Sequence, residues 1–80
     1  MDLAEARQLA EKYIDEQLVP PNGMRYLIAD AAIKEAEDGW YFPYQTDAYL
    51  QSGDINQSVV GNWPIFVSKG GNVLGPRRPG

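Results

Sequence analysis

Residues 38–44 read DGWYFPY, and this stretch decides the fold. The pair Asp38-Gly39 is typical of a type I′ turn between two antiparallel strands, and the aromatic run after it favours a β-strand. We therefore predict strands at about 24–37 and 40–45, although the first of these ranges is also rich in good helix formers. Pro43 cannot donate a hydrogen bond to a neighbouring strand, so it predicts a sheet edge, a bulge or a strand end at this point.

The N-terminal residues predict a helix over 2–18. At about 100° per residue, one face of this helix collects the apolar side chains of Leu3, Ala6, Leu9, Ala10, Tyr13 and Ile14. Asp2 and Glu5 have the spacing of a capping box. The stretch Val19-Pro20-Pro21-Asn22-Gly23 ends the helix, because proline cannot continue it.

The second half of the chain predicts a short helical turn at 46–50 and two more strands at 63–69 and 72–75. Gly70-Gly71 is typical of a two-residue hairpin turn between those strands. Residues 76–80 have no periodic pattern and predict a frayed tail.

Together these elements predict a single α+β domain over residues 1–80, in which one N-terminal amphipathic helix packs on a three- to four-stranded antiparallel meander sheet. The expected core side chains are Leu9, Tyr13, Leu27, Ile33, Trp40, Phe42, Ile65 and Val67. A core of this size supplies only about 3–5 kcal/mol of net stability, so a homodimer that buries further surface stays open as an alternative.

The composition excludes several classes of function. The 80 residues contain no Cys and no His, which excludes disulfides, thiolate zinc sites and catalysis by Ser-His-Asp or Cys-His arrangements. Eleven acidic residues against seven basic ones give a net charge of −4, which argues against nucleic acid as a partner. Because neither a membrane-spanning apolar run nor a signal peptide is recognisable, we expect a cytoplasmic binding protein without cofactor, metal or membrane partner.

Trp40, Phe42 and Tyr44 alternate along one predicted strand and therefore project from the same face. Such a row can stack nucleic-acid bases, but a stacking surface needs neighbouring Lys or Arg, and none occurs between Lys34 and Lys69. We therefore interpret these aromatic residues as core that packs against the helix.

Acidic and aromatic side chains near the first hairpin are the candidate partner-binding residues. Glu35, Glu37 and Asp38 cluster there, where solvent disfavours acid–base catalysis by paired carboxylates but an acidic surface suits a basic protein partner. The same surface is expected to include the acids Asp47 and Asp54 and the aromatic anchors Tyr41 and Trp63.

From Gly39 onward, residues occur in the order of a known family. They are Gly39-Trp40-Tyr41-Phe42, then Tyr49-Leu50 with Gly53-Asp54, then Gly61-Asn62 and Pro64, then Val67 and Gly71 before Val73 and Leu74-Gly75. In this order the chain resembles the YrhB-domain family, also catalogued as immunity protein thirty-five of bacterial polymorphic-toxin systems. Members of that family are small α+β proteins that open with an amphipathic helix. Relatives continue beyond the Leu-Gly with a further, often helical, segment, whereas this chain stops at Gly80.

The resemblance implies a non-enzymatic immunity protein that binds and neutralises a cognate toxin with a basic surface. The family pattern supplies no catalytic residue. A chaperone-like or general protein-binding role is also associated with the family and is the alternative. An enzyme that uses carboxylates or a bound metal is disfavoured, because the polar residues do not converge on a recognisable catalytic arrangement.

Overall fold

Helix α1 (Leu3–Gln17) is the first element of the computed structural model, which describes residues 1–21 and 23–79. The capping box at its start has the expected form. The Asp2 carboxylate accepts a hydrogen bond from the Glu5 amide at 2.9 Å, and the Glu5 carboxylate accepts one from the Asp2 amide at 3.3 Å. Leu18 has left the helical conformation, so α1 differs from the predicted range by one residue at each end.

The Ala-rich stretch 24–37 is not the single strand that we predicted. It contains strand β1 (Tyr26–Ile28), a 3-10 turn (Asp30–Ala32) and strand β2 (Lys34–Glu35). Ala and Asp are poor strand formers, and the turn closes through a hydrogen bond from the Ala32 amide to the Ala29 carbonyl at 2.9 Å. As a result, β1 and β2 belong to different sheets.

Pro43 divides the second predicted strand into two. Strand β3 (Gly39–Phe42) ends before it, and strand β4 (Tyr44–Thr46) begins after it. The proline has no amide hydrogen to donate, while its carbonyl accepts a hydrogen bond from the Ala29 amide at 2.8 Å. β3 therefore pairs with β2, and β4 pairs with β1. Of the three alternatives considered for Pro43, the strand end is the one that occurs.

Four strands form an antiparallel sheet in the order β2-β3-β5-β6, where β5 spans Ile65–Ser68 and β6 spans Val73–Pro76. A long excursion leaves this meander between β3 and β5. It contains β4, a short helix α2 (Asp47–Ser52) and a 3-10 turn (Ile55–Gln57). β1 and β4 form a second, two-stranded antiparallel sheet that the sequence pattern did not predict. The α+β class is confirmed.

Gly39 has a different role from the one that we predicted. Two hydrogen bonds between Ala36 and Gly39, at 2.7 and 3.4 Å, close the β2–β3 hairpin, so its turn residues are Glu37 and Asp38. Neither turn residue has the positive φ that a type I′ turn requires. Glycine is needed at position 39 because a Cβ atom there would collide with the Val67 carbonyl oxygen of the neighbouring strand.

The hairpin between β5 and β6 has a three-residue loop instead of the predicted two-residue turn. The Ser68 amide donates to the Asn72 carbonyl at 2.9 Å, which leaves residues 69–71 in the loop. The Gly71 amide donates to the Ser68 carbonyl at 3.0 Å, and Gly71 has a φ of +92°. A turn followed by a left-handed glycine is a common form of the three-residue hairpin.

The first residues of the predicted frayed tail belong to the sheet region. Pro76 is the last residue of β6, and the Arg77 amide donates to the Pro64 carbonyl at 3.0 Å. Gly80 of that tail lies outside the described residues, as does Asn22 of the predicted helix-breaking stretch.

The core lies where α1 packs against both sheets. Four of its predicted members are buried, and three more are partly buried against them: Trp40, Phe42, Ile65 and Val67, then Leu9, Tyr13 and Ile33. The prediction for Leu27 is wrong. Leu27 is 38% exposed, because its neighbour Ile28 takes the inward-facing position of β1. The other buried members of this core cluster, which were not among the expected core side chains, are Ala6, Ala10, Ile14, Ile28 and Tyr44. Because Tyr44 joins Trp40 and Phe42 in this cluster, the aromatic row is confirmed as core.

Candidate protein-binding surface

The three carboxylates predicted at the first hairpin lie close together, but two of them are in ion pairs. Glu35 accepts a hydrogen bond from Lys69 Nζ at 3.0 Å, and Asp38 accepts one from the Arg77 guanidinium at 3.4 Å. Glu37 forms no ion pair with any other described residue. The hairpin therefore presents mixed charges instead of a purely acidic surface.

These carboxylates do not resemble a catalytic acid–base pair. All three side chains are exposed, whereas a catalytic pair needs two different environments that separate the pKa values of its members. In the described part of the chain, no group of three or more acidic side chains is placed to hold a metal ion.

Tyr41 is buried, so it is not the exposed aromatic anchor that we expected. It lies on the outer face of the four-stranded sheet with 6% of its area exposed, and its ring centre is 4.8 Å from that of Phe66. The Arg77 guanidinium lies 4.3 Å from the centre of the Phe66 ring. A partner would contact the Phe66 ring only after Arg77 had moved.

The excursion after β4 carries a group of exposed apolar side chains. Residues 47–63, here named the exposed segment, include Leu50 (42% exposed), Ile55 (72%), Val60 (84%) and Trp63 (48%). Neither α2 nor the 3-10 turn that follows it contains a buried residue. Exposed apolar side chains that are concentrated in one loop region are typical of interaction surfaces.

Polar side chains of β4 hold the exposed segment in place. Gln45 forms two hydrogen bonds with the backbone of Val59: its Nε2 donates to the carbonyl at 2.7 Å, and its Oε1 accepts from the amide at 3.0 Å. The buried Thr46 hydroxyl donates to the Gln57 carbonyl and accepts from the Tyr49 amide at 3.1 Å. Because backbone hydrogen bonds fix the segment, its apolar side chains can face solvent.

Asp47 and Asp54 are the only charged side chains of the exposed segment. The Asp47 carboxylate accepts hydrogen bonds from the amides of Arg25 and Ala48 at 3.1 and 2.8 Å. The Asp54 carboxylate accepts one from the Asn56 amide at 3.0 Å and caps the 3-10 turn. Amide hydrogen bonds orient both carboxylates without neutralising them, so the segment is acidic as well as apolar.

Leu50, Ile55 and Val60 are outside the predicted binding set. Leu50 belongs to the predicted helical turn at 46–50, whereas residues 56–62 have neither the period of a strand nor that of a helix and are predicted only as an indistinct connection. The sequence feature that points to these exposed residues is the mixture of apolar residues with turn formers. Two of the turn formers, Gly53 and Gly61, have φ angles of +72° and +77°. A stretch that is bent in this way cannot bury all of its apolar side chains on one face.

Arg7 connects α1 to the 3-10 turn between β1 and β2. Its guanidinium donates to the two carboxylate oxygens of Asp30 at 2.7 and 3.0 Å, and to Glu11 at 3.2 Å. The hydrogen bonds from Arg7 hold the pKa of the Asp30 carboxyl below its ordinary value. This pair fastens the helix to the rest of the fold and is distant in the chain from the exposed segment.

A pocket of about 140 Å³ lies between the end of α1 and the start of β1. Its lining residues are Ile14, Asp15, Leu18, Pro20, Arg25 and Tyr26. Small-molecule sites usually occupy roughly 300 Å³ or more, so this pocket is too small to define one.

These features define a small α+β domain whose distinctive surface is an acidic and apolar loop segment. No helix within residues 1–21 and 23–79 is long and apolar enough to cross a membrane. The sequence profile described as immunity protein 35 matches residues 4–75, which is 72 of the 80 residues. The chain therefore belongs to the immunity protein 35 family. No curated protein and no solved structure matches it significantly. The YrhB designation is not part of the match and stays a prediction.

Proposed function

We propose that this protein is a non-enzymatic immunity protein that binds one cognate bacterial toxin domain and neutralises it. The family match over residues 4–75 carries the proposal, since it extends from α1 into β6 and so includes the whole exposed segment. A surface with several exposed apolar side chains supports a binding role, because exposed apolar patches are typical of interaction sites.

The protein neutralises its toxin by covering the surface that the toxin needs for its activity. A net charge of −4 attracts a toxin with a basic surface and raises the rate of association. Among the predicted contacts, Asp47, Asp54 and Trp63 remain strong candidates because they belong to the exposed segment. Glu35 and Asp38 are weaker candidates, because each already has a basic partner.

Co-expression with the toxin encoded beside this protein tests the proposal. Cells that make both proteins are expected to survive, and the two proteins are expected to co-purify. One control strain makes the toxin with an empty vector, and another makes it with an immunity protein of a different family. Survival no better than with the empty vector, together with a failure to co-purify, would contradict the proposal.

A chaperone-like or general protein-binding role is the second candidate, and the exposed apolar side chains of the exposed segment favour it. A chaperone suppresses the aggregation of unrelated proteins, whereas an immunity protein acts on one partner. Light scattering during heating of several unrelated proteins, with and without this protein, distinguishes the two roles. Reduced scattering for most of them would support the chaperone-like role.

A further inference from the structure

We propose that the exposed segment, residues 47–63, is the surface on which the toxin docks, through a toxin face with an apolar centre and basic surroundings. That the partner is a toxin rests on the proposed function. The position of the interface and the chemistry of the toxin face are additional to it.

Apolar side chains of the exposed segment are carried by two adjacent elements. Helix α2 and the following 3-10 turn are joined by a hydrogen bond between Ser52 Oγ and Gln57 Oε1 at 2.9 Å. Leu50 lies on the first element and Ile55 on the second, and Val60 follows three residues after the turn. Interface energy is concentrated in a few side chains that become fully desolvated on binding, and Ile55 and Val60, at 72% and 84% exposed, have most of their area to lose.

The backbone of the exposed segment is already ordered in the free protein. The two hydrogen bonds between Gln45 and Val59 and those of the Thr46 hydroxyl fix it to β4. Association costs less free energy when the binding loop does not have to be ordered at that moment. The segment therefore presents its apolar side chains in a preorganised arrangement.

Charge complementarity identifies the partner face as basic. Asp47 and Asp54 carry the only charges of the exposed segment, and no Lys or Arg occurs between Lys34 and Lys69. The backbone amide of Arg25 donates a hydrogen bond to the Asp47 carboxylate, and Arg25 also lines the pocket beside α1. Arg78 lies 5.8 Å from the centre of the Trp63 ring, at the far end of the segment. The part of the segment around the two carboxylates thus suits Lys or Arg side chains of a partner.

The apolar contacts are tested with single substitutions in this protein. For each variant, the affinity for the cognate toxin domain is measured. Ile55→Asp and Val60→Asp are each expected to weaken binding about 30-fold or more, the loss typical of an interface hot spot. Val19→Asp is the matched control, because Val19 is 89% exposed but lies in the loop after α1. It is expected to change the affinity by about twofold or less. Ile55→Ser and Val60→Ser are milder variants for use if an Asp substitution lowers the thermal midpoint.

The contribution of the acidic side chains is tested by measuring the rate at which the protein associates with the toxin domain at low and at high salt. Asp54→Asn keeps an acceptor for the Asn56 amide but removes the negative charge, so it is expected to slow association several-fold at low salt. The difference should fade at high salt, since salt screens exposed charges. Glu37→Gln removes the same charge at the β2–β3 hairpin and is the matched comparison: it is expected to slow association less than Asp54→Asn does.

The outcomes separate this inference from the proposed function. If the unchanged protein does not bind the toxin, the proposed function is contradicted and this inference with it. If the unchanged protein binds, but the variants at Ile55 and Val60 bind as tightly as Val19→Asp, the docking surface lies elsewhere and only this inference is overturned. If Glu37→Gln slows association and Asp54→Asn does not, the docking surface lies at the β2–β3 hairpin and this inference is overturned.

Discussion

Gly39 shows that a glycine next to an aspartate can be required by packing instead of by a turn. The pair Asp38-Gly39 predicts a type I′ turn, yet the turn is formed by the two residues before Gly39. The atoms nearest to a Cβ at this position would be the Val67 carbonyl oxygen, the Phe66 ring at 2.6 Å and Ser68 Cα at 2.9 Å. The close approach of β3 to β5 therefore depends on the absence of a side chain.

Gly39→Ala is expected to lower the free energy of unfolding by about 1–3 kcal/mol or more, because backbone atoms of β5 would have to shift. Urea denaturation measures this change. Gly70→Ala is the control, since only Ser68 Oγ lies near its Cβ position, at 3.8 Å. Its effect should stay within about 0.5 kcal/mol. Equal stability of the two variants would contradict the packing role of Gly39.

Thr46 ties the exposed segment to β4 through one fully buried hydroxyl group. Thr46→Val keeps the shape but leaves the Tyr49 amide and the Gln57 carbonyl without this partner, at an expected cost of about 1–3 kcal/mol. Thr46→Ser keeps the hydroxyl and should cost less. Urea denaturation measures the loss, and hydrogen exchange should show faster exchange at the Tyr49 amide in the Val variant. Unchanged exchange there would show that the segment is held by other contacts.

Elements whose signals are local could be predicted from the sequence. Helix α1 has both a capping box and a 3.6-residue apolar period, and β5 is a short aliphatic and aromatic run bounded by turn formers. The stretch 24–37 was misleading because its alternation suggested a strand, while its Ala and Asp residues favour a turn. Periodicity alone does not decide between these two structures in a short segment.

The second sheet and the exposed segment could not be predicted in the same way. The pairing of β1 with β4 joins residues about 20 positions apart, such as Tyr26 and Thr46, and no local pattern specifies it. The exposed segment depends on the side chains of Gln45 and Thr46, which bond to distant backbone groups. Because these distant hydrogen bonds leave no local pattern in the sequence, the predicted binding set included Asp47, Asp54 and Trp63 but missed the apolar residues between them.

The ion pair between α1 and the 3-10 turn makes stability depend on acid pH. The pKa of Asp30 in the folded protein lies below its value in the unfolded chain, which is about 3.9. Its contribution is therefore present above that value and is lost as the pH falls through the lower folded pKa. Both side chains are partly exposed, so the contribution stays below about 1 kcal/mol.

Asp30→Asn tests this dependence. The variant is expected to be less stable than the unchanged protein at about pH 6, and the difference should shrink as the pH falls below about 3.9 and the unchanged Asp30 becomes protonated. Chemical denaturation at several pH values measures both free energies. A difference in stability that stays equally large across this pH range would show that the charge of Asp30 is not its cause.

Helix α1 joins the two sheets into one structural unit. It packs against β1 of the second sheet and against β3, β5 and β6 of the first. Ile14 is a buried member of that contact. A small domain in which one helix contacts both sheets is expected to unfold in a single cooperative step.

Ile14→Ala is expected to lower the free energy of unfolding by about 2–4 kcal/mol, because it leaves a cavity under the helix. Both sheets should lose structure in the same transition. The fluorescence of Trp40, with Trp63 replaced by Phe, follows the first sheet, and NMR signals of residues 26–28 follow the second. Val19→Ala, at an exposed position, serves as the control and should have little effect. Separate transitions for the two sheets would contradict the single unit.

The whole molecule combines this small core with an excess of negative charge and an ordered apolar loop. Several bases are already paired with acids, at Arg7, Lys69 and Arg77, whereas the exposed segment has acids only. A partner that brings its own basic groups would compensate these carboxylates and cover the apolar side chains at the same time. This distribution of charge is consistent with the proposed stoichiometric binding of a basic toxin.

Titration of the cognate toxin's activity with the purified protein tests this binding role. We expect activity to fall in proportion to the protein added and to disappear at equal molar amounts, as for a tight one-to-one complex. Full toxin activity in the presence of a large molar excess of the protein would contradict the role.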